Sequence, residues 1–568
     1  MSKSMTWRIG GEAGFGIMAS GAIFAKALTR AGLFISSTVE YPSLIRGGHN
    51  TYIVRAGETE IFSLVKPIDL LVALNQETID LHKGELSKGA GIIYDSQDKT
   101  IITENLPEEC KLFGLPLLEI ATKDGGKKIM MNNVALGATW AVVDLPFEIL
   151  SSVIADNFAK KGEEIIKENT QAAKSGFEYI KNNYANDFTY KLVRGKAAGR
   201  LVLTGNEAIG LAAIKAGLGF TALYPMTPIN GLLLYLASHQ QEGNYIYYQP
   251  EDEIAGINSA IGASYSGKRS LIATSGGGFA LMNEGYGMAA MTETPLVVVM
   301  GTRPGPSSGL PTWTGQGDLK FLLNASPGDF MRVIFAPGDP TEAYELTQIA
   351  FNLADKYQTP VILLVDKFLC ESIGTADKLK IKNYELKIDR GKMWDKKGEY
   401  KRYELTDDGI SPRALPGQSY FITNSYEHDE FGYSTEDAKT IQSMVDKRGK
   451  KYELLAKEVP EPQIFGDKDA DITLVGWGST KNAAREVVGK KINYLHLNWI
   501  NPFPKEVVTR ILSKAKKVID IEGNSTGQMA AWIREQTGIE IKDKILKYDG
   551  RQFYPEDIIE GIKNLLGK

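Results

Sequence analysis

The chain has 568 residues, enough for about three or four domains that each bury a core, so a single small binding module is excluded. Hydrophobic residues make up 43% and charged residues 24%, which excludes disorder or a collagen-like repeat as a description of the whole. Lys plus Arg number 65 against 69 Asp plus Glu, and the resulting net charge of −4 gives no long-range attraction for a polyanion, so no nucleic-acid partner is expected.

The first segment opens with a short apolar run and Gly10-Gly11-Glu12-Ala13-Gly14-Phe15-Gly16, followed by a helical pattern from Ile17 to Ala31 that Gly32 closes. This spells strand, glycine turn, helix. The runs Tyr52-Ile53-Val54 and Leu70–Leu74 and the pattern from Asn133 to Ile154 continue the alternation, predicting a doubly wound α/β domain. Residues 156–198 turn polar, and a second series begins at Leu201-Val202-Leu203, which places a boundary near 195. Strand candidates follow at Thr221–Tyr224, Tyr245–Tyr248, Leu271–Thr274, Leu296–Met300, Val333–Phe335 and Val361–Val365. Such a βαβ series predicts a largely parallel sheet with ligand-binding loops at the carboxyl ends of its strands. From Ala376 to Pro462 charge and aromatics take over, as expected for a long connecting segment that carries function or an interaction surface. A last α/β unit has strand candidates at Ile472–Val475, Tyr494–Leu497 and Val518–Ile521. The expected domains are therefore 1–195, 196–375, the connecting segment 376–462, and 463–568.

Met1 to Thr6 lacks the apolar core of a signal peptide, and the most apolar stretch, Val134 to Ala155, is broken by Asp144, Pro146 and Glu148. No export or membrane-spanning segment is expected, which points to the cytoplasm. The two cysteines, Cys110 and Cys370, lie in hydrophobic neighbourhoods without a nearby Cys or His, which argues against a cysteine-ligated iron–sulfur cluster on this chain. The five histidines never form an i, i+4 pair, so a His-x-x-x-His zinc site is not expected either.

Five glycine-rich or polar constellations carry chemistry. Gly10 to Gly16 could bring backbone N–H groups to a phosphate at a helix start, although close helix–strand packing would demand the same glycines. In Tyr224-Pro225-Met226-Thr227-Pro228-Ile229-Asn230, two prolines fix a turn that leaves a hydroxyl at the sheet edge; Thr227 also suits the N-cap of the next helix. Glu251-Asp252-Glu253 opens a helix of small residues, where Glu253 is either an acid–base group or one more favourable charge at a helix start. Ser275-Gly276-Gly277-Gly278 and the segment from Gly301 to Thr312 bring two further glycine-rich turns to the same edge. Arg303 there could fork onto a carboxylate, or form a structural salt bridge.

With these residues assembled, the sequence resembles the alpha subunit of the 2-oxoacid:ferredoxin oxidoreductases, in the form with the gamma domain fused ahead of the alpha domain. The shared motifs are IGGEAGFGIMASG, EYPSLIRGGHN, YPMTP, EDEIAGINSAIGAS, TSGGGFALMNEGYGMAAMTETPLV, GPSSGLPT with QGDL, SPRALPG, EHDEFG, and VGWGSTKNA with NPFP, in family order along nearly the whole chain. Met226 departs from the usual YPITP, a swap that conserves volume and hydrophobicity and bears only on fine substrate positioning. The resemblance implies a pyrimidine-type thiamine-diphosphate enzyme domain between a gamma-like domain and a C-terminal domain II similar to the transketolase C-terminal domain. It implies oxidative decarboxylation of a 2-oxoacid with coenzyme A to acyl-CoA and CO2, with electrons passing to ferredoxin. The family's Gly-Asp-Gly motif for diphosphate and Mg2+ is missing here, as are cluster cysteines, so the resemblance assigns Mg2+ and a [4Fe-4S] cluster to a separate beta subunit. It likens Thr227 and Arg303 to residues that contact the substrate carboxylate, and Glu253 to the glutamate on the cofactor's aminopyrimidine. Pro225, Met226, Ser275, Gly276 and Gly277 are candidates for lining the cofactor, and Asn230 for the substrate. The outer two domains would scaffold the assembly and help admit coenzyme A. The gamma–alpha fusion favours 2-oxoglutarate or a broad 2-oxoacid range over pyruvate alone. A nucleotide-binding regulatory module on the same layers is the alternative that glycine turns by themselves leave open.

Overall fold

The computed structural model describes residues 4–43, 47–124, 126–184, 188–196, 200–377, 381, 384 and 386–567. Part of the EYPSLIRGGHN motif, Leu44 to Arg46, lies outside the described residues. Contacts divide the chain into two compact units, one of Met1–Leu203, Ser372–Leu379 and Tyr554–Asp557, the other of Thr204–Glu371, Lys380–Phe553 and Ile558–Lys568. No helix among the described residues is long and apolar enough to cross a membrane.

In the first unit the strands are β1 (Ser4–Glu12), β2 (Phe34–Glu40), β3 (His49–Gly57), β4 (Ile68–Ala73), β5 (Leu86–Asp95), β6 (Lys111–Leu115) and β7 (Arg200–Thr204). They form a sheet in the order β6-β5-β4-β1-β3-β2, followed by the strand Ile373–Asp377 and then β7. The sheet is parallel from β1 through β4 and β5 to β6, and antiparallel across β1, β3 and β2. The short link between β2 and β3 explains the change of sense, because a parallel return needs a crossover of a dozen or more residues. The glycine turn lies between β1 and the helix Ile17–Arg30, as the sequence predicts, with Gly16 in the left-handed region at its N-cap. Trp7, Phe24 and Trp140 pack together in the core, the first pair tilted and the second edge to face, with centroids 4.3 and 6.0 Å apart. Two readings change. The polar stretch 156–198 holds a helix of 21 residues, Glu163–Asn183, whose Ala172, Ala173, Gly176 and Ile180 face inward. The run Leu201-Val202-Leu203, expected to open the second domain, adds to the edge of the first sheet.

The second unit is built on β8 (Leu218–Leu223), β9 (Ile246–Tyr248), β10 (Arg269–Ser275), β11 (Leu296–Thr302), β12 (Val333–Phe335) and β13 (Pro360–Asp366). Their order is β12-β13-β11-β10-β8-β9, all parallel, with Trp499–Asn501 added antiparallel to β12. Every residue of β10, β11 and β13 is buried, which is why they read as unbroken apolar runs. A further sheet orders Gln463–Phe465, Ile492–Leu497, Ile472–Trp477, Val518–Glu522 and Asp543–Leu546. One hydrophobic cluster runs from Ile272, Phe279 and Val298 to Val475, Trp477 and Leu495, so the two sheets share a core.

The segment 376–462 is less of a simple connector than its composition suggests, since it contains the helix Ala438–Ala456 and is held by buried charge. Asp355 accepts from Arg269 and Arg413 at 2.8 and 2.9 Å, and pairs with Arg390 at 2.9 Å. Glu293, 1% exposed, pairs with Lys447 at 2.6 Å and with Lys451.

Candidate active site

The parallel register brings four strand ends to one edge. Ser275 closes β10 opposite Gly301 of β11, and Thr302 pairs with Asp366 of β13, while Leu223 of β8 pairs with Ala273 of β10. This is the carboxyl edge, where α/β sheets bind ligands.

Glu253 begins the helix Glu253–Tyr265, but it does not cap it. Asp252, extended at φ −156°, is the N-cap and accepts from Ala255 N at 2.8 Å. With the cap supplied by its neighbour, Glu253 turns inward: it is 4% exposed, and its Oε1 has no hydrogen-bond partner. Thr274 Oγ1 and Ser275 Oγ, both at the end of β10, are likewise buried without partners. Glycines 276–278, expected as a loop, form the first turn of the helix Gly276–Met291. Glycine costs a helix about 1 kcal/mol, and sterics account for its use here. A Cβ on Gly278 would collide with Thr274 Oγ1 and come within 2.7 Å of Glu253 Oε1.

The second half of the site is the YPMTP turn and the residue after β11. Thr227 does not cap the following helix; Ile229 stands at the N-cap of Asn230–Ser238, and its own N–H closes a turn onto Met226 O at 2.9 Å. The Thr227 carbonyl instead accepts from Arg303 Nη1 at 2.8 Å, and Arg303 Nη2 approaches Met226 Sδ at 3.7 Å. A guanidinium has five N–H donors, so an incoming carboxylate would still find a fork. Burial lowers the Arg303 pKa and Asp318 opposes that; burial raises the Asp318 carboxyl against the pull of Thr302 and Arg303. Asp318 accepts from Thr302 Oγ1 at 2.6 Å, and it lies 3.0 Å from where a Gly276 Cβ would stand.

The structure thus joins Glu253, Ser275 and the glycine helix start through Asp318 and Thr302 to Arg303, Thr227 and Met226. Pro225 and Asn230 are exposed at the margin. Sequence reasoning passed over Thr274, Thr302, Asp318 and Asn206, whose Nδ2 donates to Pro228 O at 2.9 Å. Thr274 and Asp318 carried a signal, as members of the TSGGGF and QGDL motifs. Among the described residues no group of three or more His, Cys, Asp or Glu could hold a metal ion.

The first unit has features of its own. The glycine turn borders a cleft of about 250 Å3 lined by Gly14, Phe15, Leu74, Lys128, Ile129 and Met131. His49 and His82, far apart in sequence, meet Nε2 to Nε2 at 3.0 Å, and burial beside His82 and Arg8 pushes His49 down to about 4.

Residues 6–179 match the family described as pyruvate ferredoxin/flavodoxin oxidoreductase, 211–447 its thiamine diphosphate-binding counterpart, and 470–558 pyruvate:ferredoxin oxidoreductase core domain II. A 2-oxoacid:ferredoxin oxidoreductase alpha subunit of Saccharolobus solfataricus is 32% identical over 99% of this chain and 98% of its own length. One from Aeropyrum pernix is 31% identical over 98% and 97%. The solved 2-oxoglutarate:ferredoxin oxidoreductase of Magnetococcus marinus, holding 2-oxoglutarate, coenzyme A and succinyl-CoA, is 33% identical, with a TM-score of 0.93 over 99% of this chain and 100% of that one. Matched in sequence over nearly its whole length, this chain belongs to the 2-oxoacid:ferredoxin oxidoreductase family, as an alpha subunit.

Proposed function

We propose that this chain, with a second polypeptide, oxidatively decarboxylates a 2-oxoacid in the presence of coenzyme A, releasing acyl-CoA and CO2 and passing electrons to ferredoxin. The preferred substrate is 2-oxoglutarate or a broad 2-oxoacid range, a choice supported by the 2-oxoglutarate and succinyl-CoA held by the Magnetococcus marinus enzyme. The observation that carries the reading is the group of buried, unpartnered polar atoms, Glu253 Oε1, Thr274 Oγ1 and Ser275 Oγ, at a glycine-lined helix start. Buried polar groups are normally paired, and this set fits the donors and acceptors of an aminopyrimidine edge. Thiamine diphosphate, when bound, supplies the carbon nucleophile and electron sink for decarboxylation.

The chain's own residues act around it. Glu253 holds and moves a proton at Oε1. Arg303, oriented by the Thr227 carbonyl, binds the substrate carboxylate, with Asn230 at the rim and Pro225, Met226, Ser275, Gly276 and Gly277 lining the cofactor. The outer domains scaffold the assembly and help to admit coenzyme A. Diphosphate anchoring, Mg2+ and the [4Fe-4S] cluster fall to a beta subunit, in keeping with the two cysteines of this chain. Docking of that subunit is supported by exposed Ile254 (48%) and Leu281 (53%) on the helices that begin at the site. The test is coenzyme A-dependent reduction of ferredoxin by the purified two-chain complex with a panel of 2-oxoacids. We expect turnover from the complex and none from this chain alone. Turnover by the chain alone, or no response to any 2-oxoacid, would overturn the proposal.

A further inference from the structure

The segment from Arg303 to Asp318 leaves β11 and returns to it through the Thr302–Asp318 bond, and residues 305–310 between are all exposed. Its order comes from the other end, through Gln316, which is 3% exposed. Gln316 N donates to Gly523 O at 2.7 Å, its Nε2 donates to Trp477 O at 3.0 Å, its Oε1 accepts from Gly523 N at 2.8 Å, and its carbonyl accepts from Asn524 Nδ2 at 3.1 Å. All four partners belong to the carboxy-terminal sheet or the turn after it. The slot is shaped by Gly478, at φ +57°, where a Cβ would stand 2.9 Å from Gln316 Nε2. Its walls are themselves fixed: buried Glu522 accepts from Trp477 Nε1 at 3.2 Å and Asn524 Nδ2 at 2.7 Å, and from Met529 N at 2.7 Å. Gln528 adds a bond on each side, donating to Gly317 O at 2.7 Å and accepting from Lys320 N at 2.9 Å.

We propose that Gln316 is a positioning residue for the substrate-carboxylate clamp, registering Asp318, Thr302 and Arg303 against the carboxy-terminal sheet. The inference rests on the reading of Arg303 as that clamp. An arginine fork discriminates only when its plane is held, and small displacements of a binding group cost affinity steeply. One residue, Gly317, separates Gln316 from Asp318, so freeing the amide frees the loop's closing bond. This gives the VGWGST and QGDL motifs one shared purpose.

The test is a double-mutant cycle in the two-chain enzyme, combining Gln316→Met, which keeps the volume but loses the amide bonds, with Arg303→Lys. We expect Gln316→Met to raise KM for the 2-oxoacid about fivefold or more, the scale of one hydrogen bond. The KM for coenzyme A should stay unchanged and kcat within about twofold, because the clamp binds ground state and transition state alike. In the Arg303→Lys background the same change should add less than about twofold. If Arg303→Lys alone leaves KM unaltered, the clamp reading falls and this inference with it. If Arg303→Lys raises KM but Gln316→Met does not, or raises it equally in both backgrounds, only the positioning role falls. Should Gln316→Met fail to assemble, Gln528→Ala, which strips two bonds from the same segment, is judged by the same criteria.

Discussion

Replacing Glu253 by glutamine separates a catalytic carboxyl from a helix-start charge, because the two roles make opposite forecasts for stability. Asp252 already supplies the cap through its 2.8 Å bond to Ala255 N, so Glu253→Gln removes no capping interaction. It replaces a carboxyl whose Oε1 is buried without a partner by a neutral amide of the same size, which breaks no bond at that atom. The melting temperature of the isolated chain should therefore hold or rise, whereas loss of a favourable helix-start charge would lower stability by about 0.3–1 kcal/mol. Turnover should move the other way. A general acid–base group is worth about 10²–10⁴-fold, and an amide cannot exchange the proton, so kcat should fall by at least about a hundredfold. Initial rates of 2-oxoacid-dependent dye reduction by the two-chain enzyme, beside thermal melts of the chain, measure both. A variant that keeps more than about a tenth of wild-type kcat, or that melts lower with activity intact, would refute the assignment.

Arg303→Lys keeps the charge but loses the fork, so KM for the 2-oxoacid should rise while the melting temperature stays put; one charge-assisted bond lost corresponds to about 1.5–3 kcal/mol in steady-state kinetics. Glu293→Gln strands Lys447 and Lys451, both 3% exposed or less, and should cost about 3–5 kcal/mol in denaturant melts. Burial works to raise the Glu293 carboxyl, but Lys447, Lys451 and Arg402 outweigh it and hold it well below the usual range, while burial pushes Lys451 down to about 7 against the pull of Glu293. Unfolded, that lysine titrates at about 10.4, so between there and its folded value the unfolded chain binds the extra proton and stability rises with pH; Lys451→Met should flatten that rise in melts taken from pH 7 to about 10.

The second unit's main sheet was legible almost strand for strand, since a parallel strand buried on both faces writes itself as a continuous apolar run. Leu296–Met300 and Val361–Val365 fall inside β11 and β13. The helix Ala438–Ala456 was not legible, for a reason of the same kind. Its buried residues are Met444, Lys447, Lys451 and Leu455, and two lysines on the inner face erase the hydrophobic stripe that periodicity detects. Glu293, separated from Lys447 by 154 positions, helps to make that face an inside. Likewise the run Leu201-Val202-Leu203 reads as a strand whichever sheet it joins; its partner is chosen by chain far away in sequence.

At the site, the sequence carried the residue types and left their assignment open between two physical roles. Consecutive acids at 251–253 can all serve a helix start, and nothing local says which accepts the amide. The decision comes from backbone direction: Asp252 is extended, so its side chain turns back to Ala255 N and the next residue is carried into the protein. Burial then separates cap from catalyst, because a capping carboxylate is satisfied by the N–H it accepts, whereas Glu253 Oε1 is enclosed with no such partner. Thr227 divides the same way: the helix takes Ile229 as its N-cap, which frees the threonine carbonyl for Arg303. Gln316 lies beyond any local reading, since its bond to Gly523 spans 207 positions and its neighbours in sequence are exposed or glycine. A polar residue flanked by glycines is ordinarily read as loop; it becomes structure only when a distant sheet offers both a donor and an acceptor at the spacing of one amide.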